Sequence, residues 1–140
     1  MEFTKINDFN NENIHNRTCI MLVNFNKKEE SLIKNICGFT GVRDCILLDK
    51  RSGNTVIKDI LENNISLDCE DGFSNKAIVF NNVPNIKINA FLESLKKMRI
   101  KRPLTAMVTD TSLNWTLNEL LYNLVEERKA LSSGKSFSHK

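Results

Sequence analysis

Histidine, proline and the polar aromatics are nearly missing from this chain, which holds two His, two Pro, one Trp and one Tyr in 140 residues. Both histidines, His15 and His139, fall outside the well-patterned region, so a serine or cysteine nucleophile would lack its usual base. Neither G-x-S-x-G nor H-E-x-x-H occurs. The short run Gly134-Lys135-Ser136 resembles the end of a phosphate-binding P-loop. However, Lys129 stands where that motif needs glycine, and the segment follows a helical pattern rather than a strand. No apolar run approaches the ~18 residues of a spanning helix, and residues 1–17 lack the apolar core of a secretory signal. The four cysteines Cys19, Cys37, Cys45 and Cys69 form no C-x-x-C pair, which leaves no zinc or dithiol motif in the sequence. They read as buried, reduced thiols, and that implies a reducing cytoplasm. No catalytic set, metal site or cofactor is expected, and on balance the chain does not read as an enzyme.

An excess of one charge is also missing. Twenty basic against 17 acidic side chains give a net charge of +3, far from the surplus of a dedicated nucleic-acid binder. The surplus is unevenly placed, because residues 1–70 are net acidic and residues 71–140 net basic. Lys96, Lys97, Arg99, Lys101 and Arg102 cluster at the end of a predicted helix. Cations there complement the helix dipole by ~0.3–1 kcal/mol each, the alternative being an anionic partner. The cluster has no interleaved aromatics, so nucleic-acid stacking is disfavoured.

What is present is α/β patterning. Short apolar, β-branched or aromatic runs predict strands at Cys19–Phe25, Asp44–Asp49, Lys76–Asn81 and Leu104–Thr109. Each precedes a helical stripe: Leu32, Ile33 and Ile36; Val56, Ile57, Ile60 and Leu61; Ile88, Phe91, Leu92, Leu95 and Met98; Leu117, Leu120, Leu121, Leu124 and Leu131. Asn26 with Glu29 and Thr116 with Glu119 fit capping boxes. Arg102-Pro103 is expected to end the third helix. The order is βαβα twice, and the halves 18–65 and 76–131 can be laid over one another as an internal duplication. The expected fold is one α/β domain over 18–131, in which two tandem βαβα halves form a four-stranded sheet with helices packed on it. Residues 1–17 and 132–140 are expected to be flexible ends.

The second half carries a resemblance. Lys101-Arg102-Pro103-Leu104, then Ala106 to Thr109, then Asn114-Trp115-Thr116-Leu117 reproduce a pattern of a basic segment with proline, a strand ending in Thr and an N-W-T-L helix entry. Over about residues 76–128 the chain resembles a bacterial family known as domain of unknown function 3783. The resemblance implies a small cytoplasmic bacterial domain and supplies no activity. The family commonly has Pro and Asn where this chain has Asp110 and Ser112, which weighs against Asp110 as a shared catalytic acid.

In open α/β sheets ligands bind beyond the carboxyl ends of strands, so the loops Asp49–Thr55 and Asp110–Thr116 are the first places to look. Lys50, Arg51, Ser52, Gly53 and Asn54 could cradle a phosphate or carboxylate at a helix start, or be a plain charged connection. Asp110, Asn114, Trp115 and Thr116 form the second candidate. Trp115 there either staples the loop to the core or anchors a partner. Asp49 and Asp110 could cooperate only if all four strands run one way; otherwise each is a turn former. Two functions are expected from this pattern. One is a protein-interaction module, with a protein partner or a homodimer. The other is a small-anion or nucleotide-binding domain built on the two loops. No membrane association is expected.

Overall fold

The computed structural model describes residues 17–132. The expected flexible ends therefore lie, apart from Arg17 and Ser132, outside the described residues, as do His15, His139 and the Gly134-Lys135-Ser136 run. Arg17 is anchored: its guanidinium pairs with Asp44 at 2.8 Å and donates to Leu61 O at 2.7 Å. Four strands and four helices alternate. They are β1 (Cys19–Val23), α1 (Lys27–Thr40), β2 (Cys45–Leu48), α2 (Ile57–Leu61), β3 (Ala77–Asn81), α3 (Asn85–Lys97), β4 (Leu104–Met107) and α4 (Leu117–Ser132). Short 3-10 turns at Lys50–Ser52 and Ser112–Asn114 precede α2 and α4.

The sheet order is β2-β1-β3-β4. Each half contributes a parallel pair, and the halves meet through antiparallel β1 and β3, with Met21 opposite Val79. Every residue of these two central strands is buried, as expected of strands covered on both faces. Side chains alternate between two cores because successive residues of a strand point to opposite faces. Met21, Val23, Ala77 and Val79 meet Ile57, Ile60, Leu117 and Leu121 of α2 and α4. Ile20, Leu22, Ile78 and Phe80 meet Ile33, Ile36, Phe91 and Leu95 of α1 and α3.

The halves share backbone geometry, not just element order. Asn24 and Asn82 both take left-handed conformations just after β1 and β3, and so do Gly41 and Arg99 after α1 and α3. At those helix ends Val42 N–H donates to Cys37 O and Ile100 N–H to Leu95 O, each at 3.1 Å. Both capping boxes form: Asn26 and Glu29 bond reciprocally at the start of α1, and Thr116 and Glu119 at the start of α4.

Two expectations are corrected. The third helix stops at Lys97, well before Arg102-Pro103, because Arg99 turns left-handed and Ile100 closes the helix end. Its stripe is correspondingly shorter, with Met98 exposed, and at the far end of α4 Leu131 is exposed too. The second correction concerns strand direction. With an antiparallel centre, the carboxyl ends of β1 and β2 face one way and those of β3 and β4 the other. Asp49 and Asp110 thus leave from opposite ends of the sheet and form no acid-base pair.

Candidate functional site

The two strand-to-helix loops start at opposite ends of the sheet, yet they run back across the same face and meet. Val56 and Thr116 form an antiparallel bridge. Ile57 N–H donates to Trp115 O at 2.8 Å, Leu117 N–H to Thr55 O at 2.9 Å and Asn118 N–H to Gly53 O at 2.9 Å. Glu119 N–H goes to Thr116 Oγ1. At α4 the three backbone donors that a helix start would offer an anion, those of Leu117, Asn118 and Glu119, are therefore committed to protein oxygens, and at α2 the Ile57 donor is. α2, with only five residues, has little dipole to add. The anion cradle expected from the sequence thus loses the first-turn donors of α4 and the Ile57 donor of α2.

The first loop is built as a connector. Asp49 caps the 3-10 turn by accepting from Arg51 N–H at 2.8 Å, and its carboxylate also binds the Arg51 guanidinium at 2.8 Å. The Arg51 guanidinium holds the Asp49 carboxyl below the usual carboxylate range. This is the turn-forming role expected of an Asp at a strand end. Lys50 and Asn54 are exposed, whereas Ser52 is buried and its Oγ makes no hydrogen bond among the described residues. Gly53 has an ordinary helical conformation, so its role is spatial: a Cβ there would overlap the Asn118 side chain. The 66–75 segment then covers the loop. Ser66 N–H donates to Thr55 Oγ1, Cys69 N–H to Arg51 O and Phe73 N–H to Asn118 Oδ1. Asn24 completes this cover by donating to Phe73 O and Asn75 O at the end of β1.

The second half is more open. Beyond the ends of β3 and β4 lies a cavity of about 480 Å³ bordered by Asn82, Pro84, Met107, Thr109 and Asp110. Among the described residues Asp110 is the one ionisable group on its wall, which is poor chemistry for holding an anion. Ser112 is buried in reciprocal bonds with Thr109, and Asn114 is exposed.

Trp115 sits elsewhere. It is half-buried, with one side packed on the core beneath the sheet. It also borders a shallow surface depression of about 420 Å³ with Phe73, Asn118, Glu119, Tyr122 and Asn123. Phe73 and Tyr122 stand edge to face, with ring centroids 6.5 Å apart. The chain's single Trp and single Tyr therefore share one surface. Of the residues expected at a site, Trp115 alone lines this depression. Phe73 and Tyr122 gave no sequence signal beyond their aromatic character, because the linker and α4 meet only in the folded chain.

The basic residues gather on another side. Lys96, Arg99 and Arg102 border a cavity of about 480 Å³ floored by Leu92, Leu95 and Ile100. Lys76, Lys101, Arg102 and Arg128 surround a smaller one of about 210 Å³ with Glu29. Two of these cations are already engaged, Lys76 with Glu29 at 2.6 Å and Arg128 with Pro103 O at 3.0 Å. Among the described residues no group of three His, Cys, Asp or Glu could hold a metal, and no helix is long and apolar enough to cross a membrane.

No curated protein and no solved structure matches the chain. Its second half, β3 to α4, matches a family model over residues 76–131, the family being described as a domain of unknown function (DUF3783).

Proposed function

We propose that this protein is a small protein-interaction domain whose docking surface is the aromatic depression formed by Phe73, Trp115 and Tyr122. One observation carries the reading: the only Trp and the only Tyr border the same shallow hollow, with Tyr122 54% exposed. Trp and Tyr dominate binding hot spots because they bury large, rigid surface at small entropic cost. The rim is polar, with Asn118, Glu119 and Asn123, and Glu70 and Asp71 precede Phe73 in the linker. The partner that fits is a peptide segment carrying apolar and basic side chains.

Trp115 makes the test direct, since all tryptophan fluorescence reports from the site. Peptides selected from a random display library against the full chain should be enriched in Lys or Arg beside apolar residues, and should shift that fluorescence. Tyr122→Ala should weaken them by about 30-fold, the ~2 kcal/mol of a hot-spot aromatic. Selected peptides whose binding ignores Tyr122→Ala, or a chain that only dimerises by light scattering, would overturn the reading. We further infer that the two halves descend from one βαβα unit repeated in tandem. Their shared left-handed residues and helix-end hydrogen bonds support this.

A further inference from the structure

The thiols of Cys37 and Cys45 lie 3.1 Å apart, sulfur to sulfur, and both are free. Cys37 closes the last turn of α1 on its buried side, and Cys45 opens the edge strand β2. A four-residue connection, 41–44, folds the chain back between them. Gly41 takes a left-handed conformation there, and the N–H groups of Gly41 and Val42 both donate to Cys37 O. The backbone around Cys37 is thereby fixed while its side chain faces Cys45. A disulfide needs sulfurs about 2.05 Å apart, so closure asks for a movement of about 1 Å.

We propose that Cys37 and Cys45 form a reversible dithiol-disulfide centre, oxidised by low-molecular-weight disulfides such as oxidised glutathione. The two sulfurs differ in a way that assigns their roles. Cys45 is partly exposed, and Cys37 is buried. Contact with the Cys37 sulfur pulls the Cys45 thiol below its ordinary range, with help from the Lys34 charge. The same contact, together with burial, pushes the Cys37 thiol up. Cys45 is thus the attacking thiolate. It attacks one sulfur of the small disulfide, whose S–S bond breaks and releases one thiolate. Cys37 then gives up its proton to solvent and attacks Cys45 Sγ of the mixed disulfide, expelling the second thiolate. Two protein thiols are oxidised, and the small disulfide is reduced to two thiols. The remaining cysteines lie apart from this chemistry. Cys19 is buried in the opposite core, where desolvation pushes its thiol up to about 11, and Cys69 is buried beside Asp71 and Asn118.

The test is to incubate the full-length reduced protein with excess oxidised glutathione, quench with acid and map the products by mass spectrometry. The expected product has lost two hydrogen atoms and yields a peptide linked through Cys37 and Cys45, which excess reduced glutathione reopens. Cys37→Ser should instead accumulate a glutathione adduct on Cys45. Cys45→Ser should leave Cys37 at least about 10-fold slower to react, as expected of a buried thiol with little thiolate. A stable adduct on Cys45 in the unmodified sequence, a disulfide through Cys19 or Cys69, or no reaction at all would overturn the proposal.

Discussion

After their first helices the two halves of the molecule make the same left-handed turn with different residues. After α1 the left-handed position is Gly41, and after α3 it is Arg99. Asn26 caps α1 through its side chain, whereas Pro84 opens α3 without a side-chain bond. Between sheet and helix, Leu22 and Ile33 fill the first half where the second has Phe80 against Phe91, edge to face at 5.5 Å. The end of the first parallel pair is roofed by the 66–75 segment through Asn24, and the end of the second borders an open cavity. The hydrogen bonds of the helix ends are repeated while the side chains are not. Backbone geometry is therefore the common constraint, and packing and exposure are where the halves are free to differ.

Four substitutions sharpen that contrast. The largest effect is expected from Phe91→Ala, which should cost ~3–5 kcal/mol by emptying the space beneath Phe80. Ile33→Ala should cost less, within about 2–5 kcal/mol, because a smaller side chain leaves a smaller void. Urea unfolding measures both, and a greater loss at Ile33 would mean that the first half carries the core. Next come the left-handed positions. Gly41→Ala should destabilise by about 1–2 kcal/mol and Arg99→Gly should stabilise by up to ~1 kcal/mol, since only a side chain pays the left-handed penalty. Space is not at issue at Gly41, where a Cβ would meet only Lys87 Nζ at 3.5 Å. Thermal midpoints moving in the same direction would show that the two turns are not equivalent.

The smallest effect concerns the ion pair of Glu29 on α1 with Lys76 at the entry to β3. Lys76, aided by the Asn26 N–H, holds the Glu29 carboxyl below its ordinary range. A depressed carboxyl stabilises the fold above the ordinary carboxylate range, and that contribution disappears as pH falls through the folded-state value. Lys76→Met should therefore cost under about 1 kcal/mol at neutral pH and flatten the acid limb of a stability-against-pH curve. An unchanged acid limb would show that the pair does not couple the halves.

Much of the architecture was legible along the chain. The four strands fall within two residues of their expected bounds, and both capping boxes form, because these signals are local. What the chain could not display were pairings over long separations. The Val56–Thr116 bridge, 60 residues apart in sequence, occupies the first N–H of each helix, those of Ile57 and Leu117, which the loops had seemed to offer an anion. The direction in which β1 meets β3 has no local signature either, and it decides that Asp49 and Asp110 stay apart. Phe73 and Tyr122 join Trp115 only because the linker returns over α4. The eight-residue spacing of Cys37 and Cys45 hides their contact, which a helix end and a tight return create.

The antiparallel seam at the middle of the sheet has a consequence for the segment that matches a family. Cut loose from the first half, residues 76–131 would keep β3 and β4 but bare the side of Ala77–Asn81 that β1 now covers. Such a strand presents a row of unsatisfied amides and carbonyls beside apolar flesh on both faces. Two identical strands can close an antiparallel seam by a twofold rotation. A fragment of the second half alone would thus be an incomplete sheet, its bared edge open to pairing with another copy of itself.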